Sequence, residues 1–181
     1  MSVLLGIPTN GQISARTAFS IFNLKGDFNL SMQIGCDVAH NRNKLVQQAM
    51  DYSHLLFVDS DMSFEPDTLQ RMLAHNKDIL GLAANHRRLP LESVVKPLKK
   101  TDENKPLPTK LFQAASCGTG VMLIKTSVFK KIPAPWFEFS YDDNGERVGE
   151  DVNFCRKASR AGIAIWVDST IPCQHWGDFA Y

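Results

Sequence analysis

Two aspartates spaced two apart, Asp59 and Asp61, stand where the uninterrupted apolar run His54-Leu55-Leu56-Phe57-Val58 stops. Alternate residues of an extended chain project to one side, so the pair offers hard oxygen donors to one Mg²⁺ or Mn²⁺ whose other positions go to water and phosphate oxygens. That arrangement suits the departure of a nucleotide diphosphate, on which negative charge grows as its substituent leaves. Each unit charge pair at ~4 Å contributes roughly 4 kcal/mol at an effective dielectric near 20. The plainer alternative is that Asp59 or Asp61 caps the segment that follows.

The elements around this motif decide whether it can work. An apolar run with no alternation is the mark of a parallel strand covered on both faces, and open α/β sheets bind ligands beyond the carboxyl ends of such strands. Val3 to Ile7 is a similar strand, closed by Pro8-Thr9-Asn10-Gly11 and followed by a helix from about Ile13 to Leu24. The alternation Phe28-Asn29-Leu30-Ser31-Met32-Gln33-Ile34 predicts a half-buried strand, and Asp37 to Tyr52 a helix. After the motif, Pro66 opens a helix with Leu69, Met72 and Leu73 on its apolar side, and Asp78 to Ala84 reads as a strand. From about 86 to 111 four prolines and a charged run, Lys99 to Lys105, predict a flexible loop placed as a lid over a site. Phe112 to Lys125 reads as a strand region interrupted by Gly118-Thr119-Gly120. A short helix near Thr126 to Lys131 follows, then a helix from Glu150 to Ala161, a strand from Ile163 to Val167, and a terminal segment carrying His175. The fold class expected is α/β, residues 1–181 forming one domain with a mostly parallel central sheet flanked by helices.

The bulk numbers agree with that class. A chain of 181 residues, 44% hydrophobic and 22% charged, is long enough for one substantial core. A formal net charge of +1 gives no general attraction to polyanions, so nucleic acid is not expected as a partner. The apolar run at the amino terminus is too short for a signal peptide or a membrane span, which predicts a soluble, cytoplasmic protein without a transmembrane segment. Cys36, Cys117, Cys155 and Cys173 are scattered without C-x-x-C pairing, the pattern of buried thiols rather than a zinc site or disulfide framework.

Taken together, these residues resemble the GT-A glycosyltransferases, family 2-like members in particular. The resemblance runs in order through Arg42-Asn43, Leu55-Leu56-Phe57-Val58-Asp59-Ser60-Asp61-Met62, Gly118-Thr119-Gly120-Val121-Met122-Leu123-Ile124, the Gly149-Glu150-Asp151 turn, and His175. It implies a transferase of the hexosyl type that moves a sugar from a nucleotide-diphosphate sugar, a UDP-sugar before a GDP-sugar, to a hydroxyl of a glycan, lipid-linked or protein acceptor. It implies that Asp61 holds the metal, with Asp59 contributing directly or through the ribose and a water, and that His175 is a further ligand, shifting preference from Mg²⁺ toward Mn²⁺. Packing between Trp166 and Trp176 is the other reading of His175. Asp151, with Glu150 beside it, matches the acidic pair that faces the acceptor, where a carboxylate takes the hydroxyl's proton. Either acid would also interact favourably with the helix N-terminus it opens. Pro8 and Thr9 fall in the nucleotide-binding loop with Ser60, Arg42 reaches toward base or pyrophosphate, and Gly118 and Gly120 allow close approach of backbone to the sugar, a β-bulge being their plainer use. The acidic residue the family carries after its second strand is represented only by Asp37.

His86-Arg87-Arg88 opens the long loop, as a diphosphate clamp or as a solvated charge run. Trp136 and Phe137 serve as a sugar-stacking platform or as core. Two other functions compete. A haloacid-dehalogenase-like phosphatase also places D-x-D after an apolar strand, but on the first strand and with Thr or Val where Met62 and Ser63 stand. A non-catalytic nucleotide-sugar-binding module would keep the scaffold without turnover.

Overall fold

The computed structural model describes residues 2–87, 89–99 and 105–177. Arg88 of the His86-Arg87-Arg88 run, Lys100 to Asn104 of the charged stretch and the last four residues of the terminal segment lie outside the described residues. Among the described residues the elements follow in the order β1 (Val3–Thr9), α1 (Ala15–Asn23), β2 (Asn29–Ile34), α2 (Val38–Ala49), β3 (His54–Val58), β4 (Met62–Phe64), α3 (Thr68–Ala74), β5 (Ile79–Leu82), β6 (Lys96–Pro97), β7 (Leu111–Ser116), β8 (Val121–Lys125), α4 (Thr126–Phe129), β9 (Ser140–Tyr141), β10 (Arg147–Val148), α5 (Glu150–Arg160), β11 (Ile165–Asp168) and β12 (Cys173–His175).

Eight strands form one sheet in the order β2-β1-β3-β8-β5-β11-β7-β6. β1 pairs in parallel with β2 and β3, β5 with β11, and the antiparallel β8 is inserted between β3 and β5, so most strands run one way. Every residue of β1, β3 and β5 is buried, as continuous apolar runs require when helices cover both faces. On one face Leu4, Leu55, Phe57 and Ile124 pack with Leu45 and Val46 of α2 and Phe154 of α5. On the other, Leu5, Ile7, Leu56 and Val58 pack with Ile21 of α1 and Leu69 and Met72 of α3. Among the described residues no helix is long and apolar enough to cross a membrane.

Three expectations change. Phe112 to Lys125 is interrupted at Gly118-Thr119-Gly120 as expected, but its two halves are not neighbours: β7 and β8 are separated in the sheet by β11 and β5, and residues 117–120 cross between them. Gly81 of β5 permits that crossing, because Cys117 Sγ lies 2.5 Å from where a Cβ would stand. β2 is an edge strand rather than half buried, and its apolar residues Leu30, Met32 and Ile34 face solvent at 52%, 50% and 63% exposure. Within the loop expected at 86–111 the chain folds back on itself, Asn85 bridging Ser93, the His86 N–H donating to the Glu92 carbonyl (2.8 Å), and β6 adding to the sheet beside β7.

Candidate active site

A cavity of about 640 Å³ opens at the carboxyl ends of β1 and β3. Pro8, Thr9, Arg42, Asp59, Ser60, Asp61, Glu150, Asp151 and His175 all line it, so residues up to 167 positions apart in the chain converge on one place. Gly118 and Gly120 stand just behind it. The Gly120 carbonyl accepts the Asp59 N–H at 2.9 Å, and a Cβ on Gly118 would meet Val94 at 3.2 Å and the Asp151 carboxylate at 3.7 Å.

Local structure explains each placement. Pro8 and Thr9 close β1, and the Thr9 hydroxyl donates to the Gln12 carbonyl (2.5 Å) while accepting the Gly11 N–H (3.1 Å), which holds the loop open beside the cavity. The Asn41 amide, buried on α2, donates to the carbonyls of Thr9 (3.3 Å) and Gly35 (2.9 Å) and ties the ends of β1 and β2 together. The Ser60 carbonyl accepts the Ser14 N–H (2.8 Å) and the Thr17 hydroxyl (3.0 Å), so the acidic turn is fastened to the start of α1. β4 and β12 then pair antiparallel with Met62 opposite His175, which brings the late histidine beside Asp61.

The four carboxylates divide into two kinds. Arg42, only 3% exposed, donates from Nη2 to both Asp59 oxygens at 2.8 and 3.1 Å and from Nη1 to Glu150. One guanidinium thus satisfies Asp59 and Glu150 from the interior, a planar fork well suited to holding carboxylates. Its Nε is buried with no partner among the described residues. Arg42 faces inward onto these acids, and the guanidinium stands 6.0 Å from the Phe137 ring. Asp61 and Asp151 line the same cavity without contact to Arg42. Asp61 meets Arg87 Nη1 at 2.8 Å and His175 Nε2 at 3.3 Å, while His175 Nδ1 lies 3.1 Å from the Asn85 carbonyl, to which it donates. Burial alone would raise the Asp61 carboxyl and lower the His175 imidazole. Their contact, with Arg87 beside Asp61, overrides it and holds Asp61 below and His175 above their ordinary values.

Asp151 occupies the first turn of α5. Its Oδ1 accepts the Val152 N–H at 2.7 Å and lies 2.7 Å from where a Cβ on Gly149 would stand, so residue 149 has to be glycine for the carboxylate to take this position. No ion pair engages Asp151 among the described residues. Asp37 caps α2, its Oδ1 accepting the His40 N–H at 3.1 Å. Trp136 and Phe137 are core, Phe137 stacking on Phe154 at 4.6 Å and the Trp136 indole N–H donating to the carbonyls of Phe129 (2.8 Å) and Ile132 (3.1 Å).

Sequence reasoning singled out neither Asn41, Asn85 nor Ser14, whose roles are to fasten backbone rather than to carry charge. It gave Arg87 no definite partner. An i, i+2 spacing marks two acids, but nothing in the sequence marks an arginine 17 residues before one acid and 108 before another as their common counter-ion.

No protein-family model and no curated protein matches the sequence. Solved structures do. A197 from STIV superposes with a TM-score of 0.69 at 19% identity, over 98% of this chain and 87% of that one. GalNAc-T7 with UDP, GalNAc and Mn²⁺ gives 0.63 at 11%, over 97% of this chain. S. aureus TarS 1-349 in complex with UDP-GlcNAc gives 0.58 at 18%, over 93%. The chain spans 43% of the GalNAc-T7 structure and 56% of the TarS structure. At these identities the likeness is one of architecture, and it agrees with the sheet order and with the cavity at the carboxyl ends of β1 and β3: the chain has the GT-A-like fold of the glycosyltransferases.

Proposed function

We propose that the chain transfers a sugar from a nucleotide-diphosphate sugar to an acceptor hydroxyl, with a divalent cation bound alongside the diphosphate. The observation that carries this reading is the convergence of four carboxylates on one cavity at the strand ends: Arg42 holds Asp59 and Glu150, Arg87 and His175 meet Asp61, and Asp151 has no ion-pair partner among the described residues. A UDP-sugar is the preferred donor and a GDP-sugar the second. The TarS structure was obtained with UDP-GlcNAc and the GalNAc-T7 structure with UDP, GalNAc and Mn²⁺, which supports that order.

The donor set fits a cation that arrives with its phosphates. Asp61 offers a carboxylate and His175 an imidazole nitrogen within 3.3 Å of each other, and among the described residues no group of three His, Cys, Asp or Glu forms a ready cage. Mg²⁺ and Mn²⁺ sites of this type take one or two protein ligands and fill the rest from phosphate and water. When bound, the cation offsets the charge that develops on the leaving diphosphate. Asp59, fixed by Arg42, orients the turn that presents Asp61. Pro8, Thr9 and the loop to Gln12 receive base and ribose, and Gly118 and Gly120 bring bare backbone toward the sugar.

Asp151 is the base. As the acceptor oxygen forms its bond to the anomeric carbon and the carbon–phosphate oxygen bond breaks, the hydroxyl proton passes to the Asp151 carboxylate. Attack in line from the far face inverts the anomeric centre. Turnover of UDP-sugar to UDP, measured with and without glycan, lipid-linked or protein acceptors, tests this assignment. Asp151→Asn is expected to lose about 10²- to 10⁴-fold in kcat, the usual worth of a general base, while donor affinity stays within a few-fold. An Asp151→Asn protein with undiminished kcat would contradict it, and a wild-type protein that binds donor without consuming it would favour the binding-module reading. The phosphatase reading loses its footing with the fold, since the D-x-D strand is the third in the chain and lies inside a GT-A-like sheet.

A further inference from the structure

Both oxygens of the Asp61 carboxylate already have a neighbour. Arg87 Nη1 lies 2.8 Å from Oδ2, and His175 Nε2 lies 3.3 Å from Oδ1. A cation would treat these neighbours differently. An imidazole nitrogen can turn a lone pair to a metal, so His175 can stay beside Asp61 as a fellow ligand. A guanidinium has only N–H donors and keeps its proton, so it cannot ligate a metal at all. Arg87 and a divalent cation therefore compete: both are drawn to the same carboxylate, and each repels the other.

The two arginines of the cavity are held in unlike ways. Arg42 is buried on α2 and fixed between two acids, Asp59 and Glu150. Arg87 has one ion pair among the described residues, the one with Asp61, and its side chain is 51% exposed. A pair so open to water holds weakly, which lets Arg87 exchange one anion for another. The backbone that carries it is fixed. The Val94 N–H donates to the Ala84 carbonyl (3.0 Å), the His86 N–H donates to the Glu92 carbonyl (2.8 Å), and Asn85 bridges Ser93 while its own carbonyl accepts the His175 Nδ1–H (3.1 Å). The exchange thus needs only rotation of the Arg87 side chain on a fixed stem, inside the cavity that Arg87 and Asp61 both line.

Formal charge favours the same exchange. Asp61 and Arg87 together are neutral. A nucleotide-diphosphate sugar brings two negative charges and a divalent cation cancels both, so donor, cation, Asp61 and Arg87 together are neutral again. A cation arriving alone has to displace Arg87 with no anion to receive it.

Resting on the reading of the donor given above, we propose that Arg87 is a resident counter-ion that keeps the cation off Asp61 until the nucleotide arrives, whereupon the diphosphate draws Arg87 away from the carboxylate. The cation then binds with the nucleotide and not before it. Arg87 couples the two ligands, and by linkage each raises the other's affinity by the same factor.

Electron paramagnetic resonance of Mn²⁺, whose free-ion signal falls as protein takes the ion up, tests the proposal with UDP as the probe nucleotide. Wild type is expected to bind Mn²⁺ weakly alone and on the order of tenfold tighter with UDP, within the usual range of such couplings. Arg87→Gln is expected to bind Mn²⁺ alone several-fold tighter than wild type, to gain less from UDP, and to keep the wild-type melting curve because the side chain is exposed. Arg87→Lys, which keeps the charge, is expected to bind Mn²⁺ alone as weakly as wild type, and adding Asp61→Ala to Arg87→Gln to abolish the gain. An Arg87→Gln protein that binds Mn²⁺ alone no tighter than wild type, while wild type still takes up Mn²⁺ with UDP, would overturn the proposal and leave the donor reading standing. Uptake of Mn²⁺ by none of these proteins, with or without UDP, would overturn both.

Discussion

Arg42 holds two acids that the site cannot leave unpaired. It is nearly inaccessible, and its guanidinium joins the turn after β3 to the start of α5 through Asp59 and Glu150. Removing one member of such a buried network strands the others, which typically costs about 3–5 kcal/mol. Arg42→Met is therefore expected to lose about 3 kcal/mol in chemical denaturation, at the low end because Asp59 keeps some contact with solvent. A loss below about 0.5 kcal/mol, the ordinary scale of a surface change, would show that the network contributes little. Sequence analysis set Arg42 against base or pyrophosphate. Its partners are fixed by the three-dimensional approach of α2, β3 and α5, and no local pattern encodes that approach. The placement of Asp151 in the first turn of a helix, in contrast, was legible because the Gly149-Glu150-Asp151 turn is local.

Among the elements, the crossing of residues 117–120 over β5 and the joining of α3 to β11 each make a definite prediction. Gly81→Ala puts a methyl group where Cys117 Sγ stands, 2.5 Å away, with fully buried surroundings on both sides. Overpacking of this kind costs about 1–3 kcal/mol, so the variant's melting temperature is expected to fall, and an unchanged value would mean the crossing relaxes freely. His75 at the end of α3 meets Asp168 of β11 at 2.8 Å, and the Thr170 N–H and hydroxyl both donate to the same carboxylate at 2.7 Å. Burial by itself would raise the Asp168 carboxyl, but the Thr170 and His75 hydrogen bonds leave it below the ordinary carboxylate value. A depressed value in the fold means that Asp168 contributes stability above the unfolded aspartate range, and that this contribution is lost as pH falls through the lowered folded value. Denaturation of Asp168→Asn as a function of pH is expected to show a smaller loss of stability on acidification than wild type, and parallel curves would contradict the assignment. Strands β1, β3, β5 and β11 were legible because buried parallel strands need unbroken apolar runs. β2 was misjudged as half buried because alternation reports that a strand has two unlike faces, and not which face a neighbour covers. The break at Gly118-Thr119-Gly120 between β7 and β8 was legible from its glycines, but nothing local shows that β5 and β11 come between the two strands in the sheet.

At the scale of the molecule, the architecture was legible in outline and the charge pairing within the site was not. The order of apolar runs and helices predicts an α/β sheet, and the acidic turn after the third strand predicts where a ligand enters, because both follow from periodicity and from where strands end. The pairing of Arg42 with Asp59 and Glu150, and of Arg87 with Asp61, depends on side chains that meet only after the sheet has closed. The proposed transfer requires that this cavity bind a nucleotide diphosphate with a divalent cation through Asp61. Isothermal titration of the purified protein with UDP- and GDP-sugars, in Mn²⁺ and in chelator, for wild type and for Asp61→Ala, tests it most directly. The expected result is metal-dependent binding of one nucleotide class, UDP first, weakened by tenfold or more in the variant, a difference of about 1.4 kcal/mol. Absence of binding by wild type under every condition, or binding indifferent to both the metal and Asp61, would contradict the central claim.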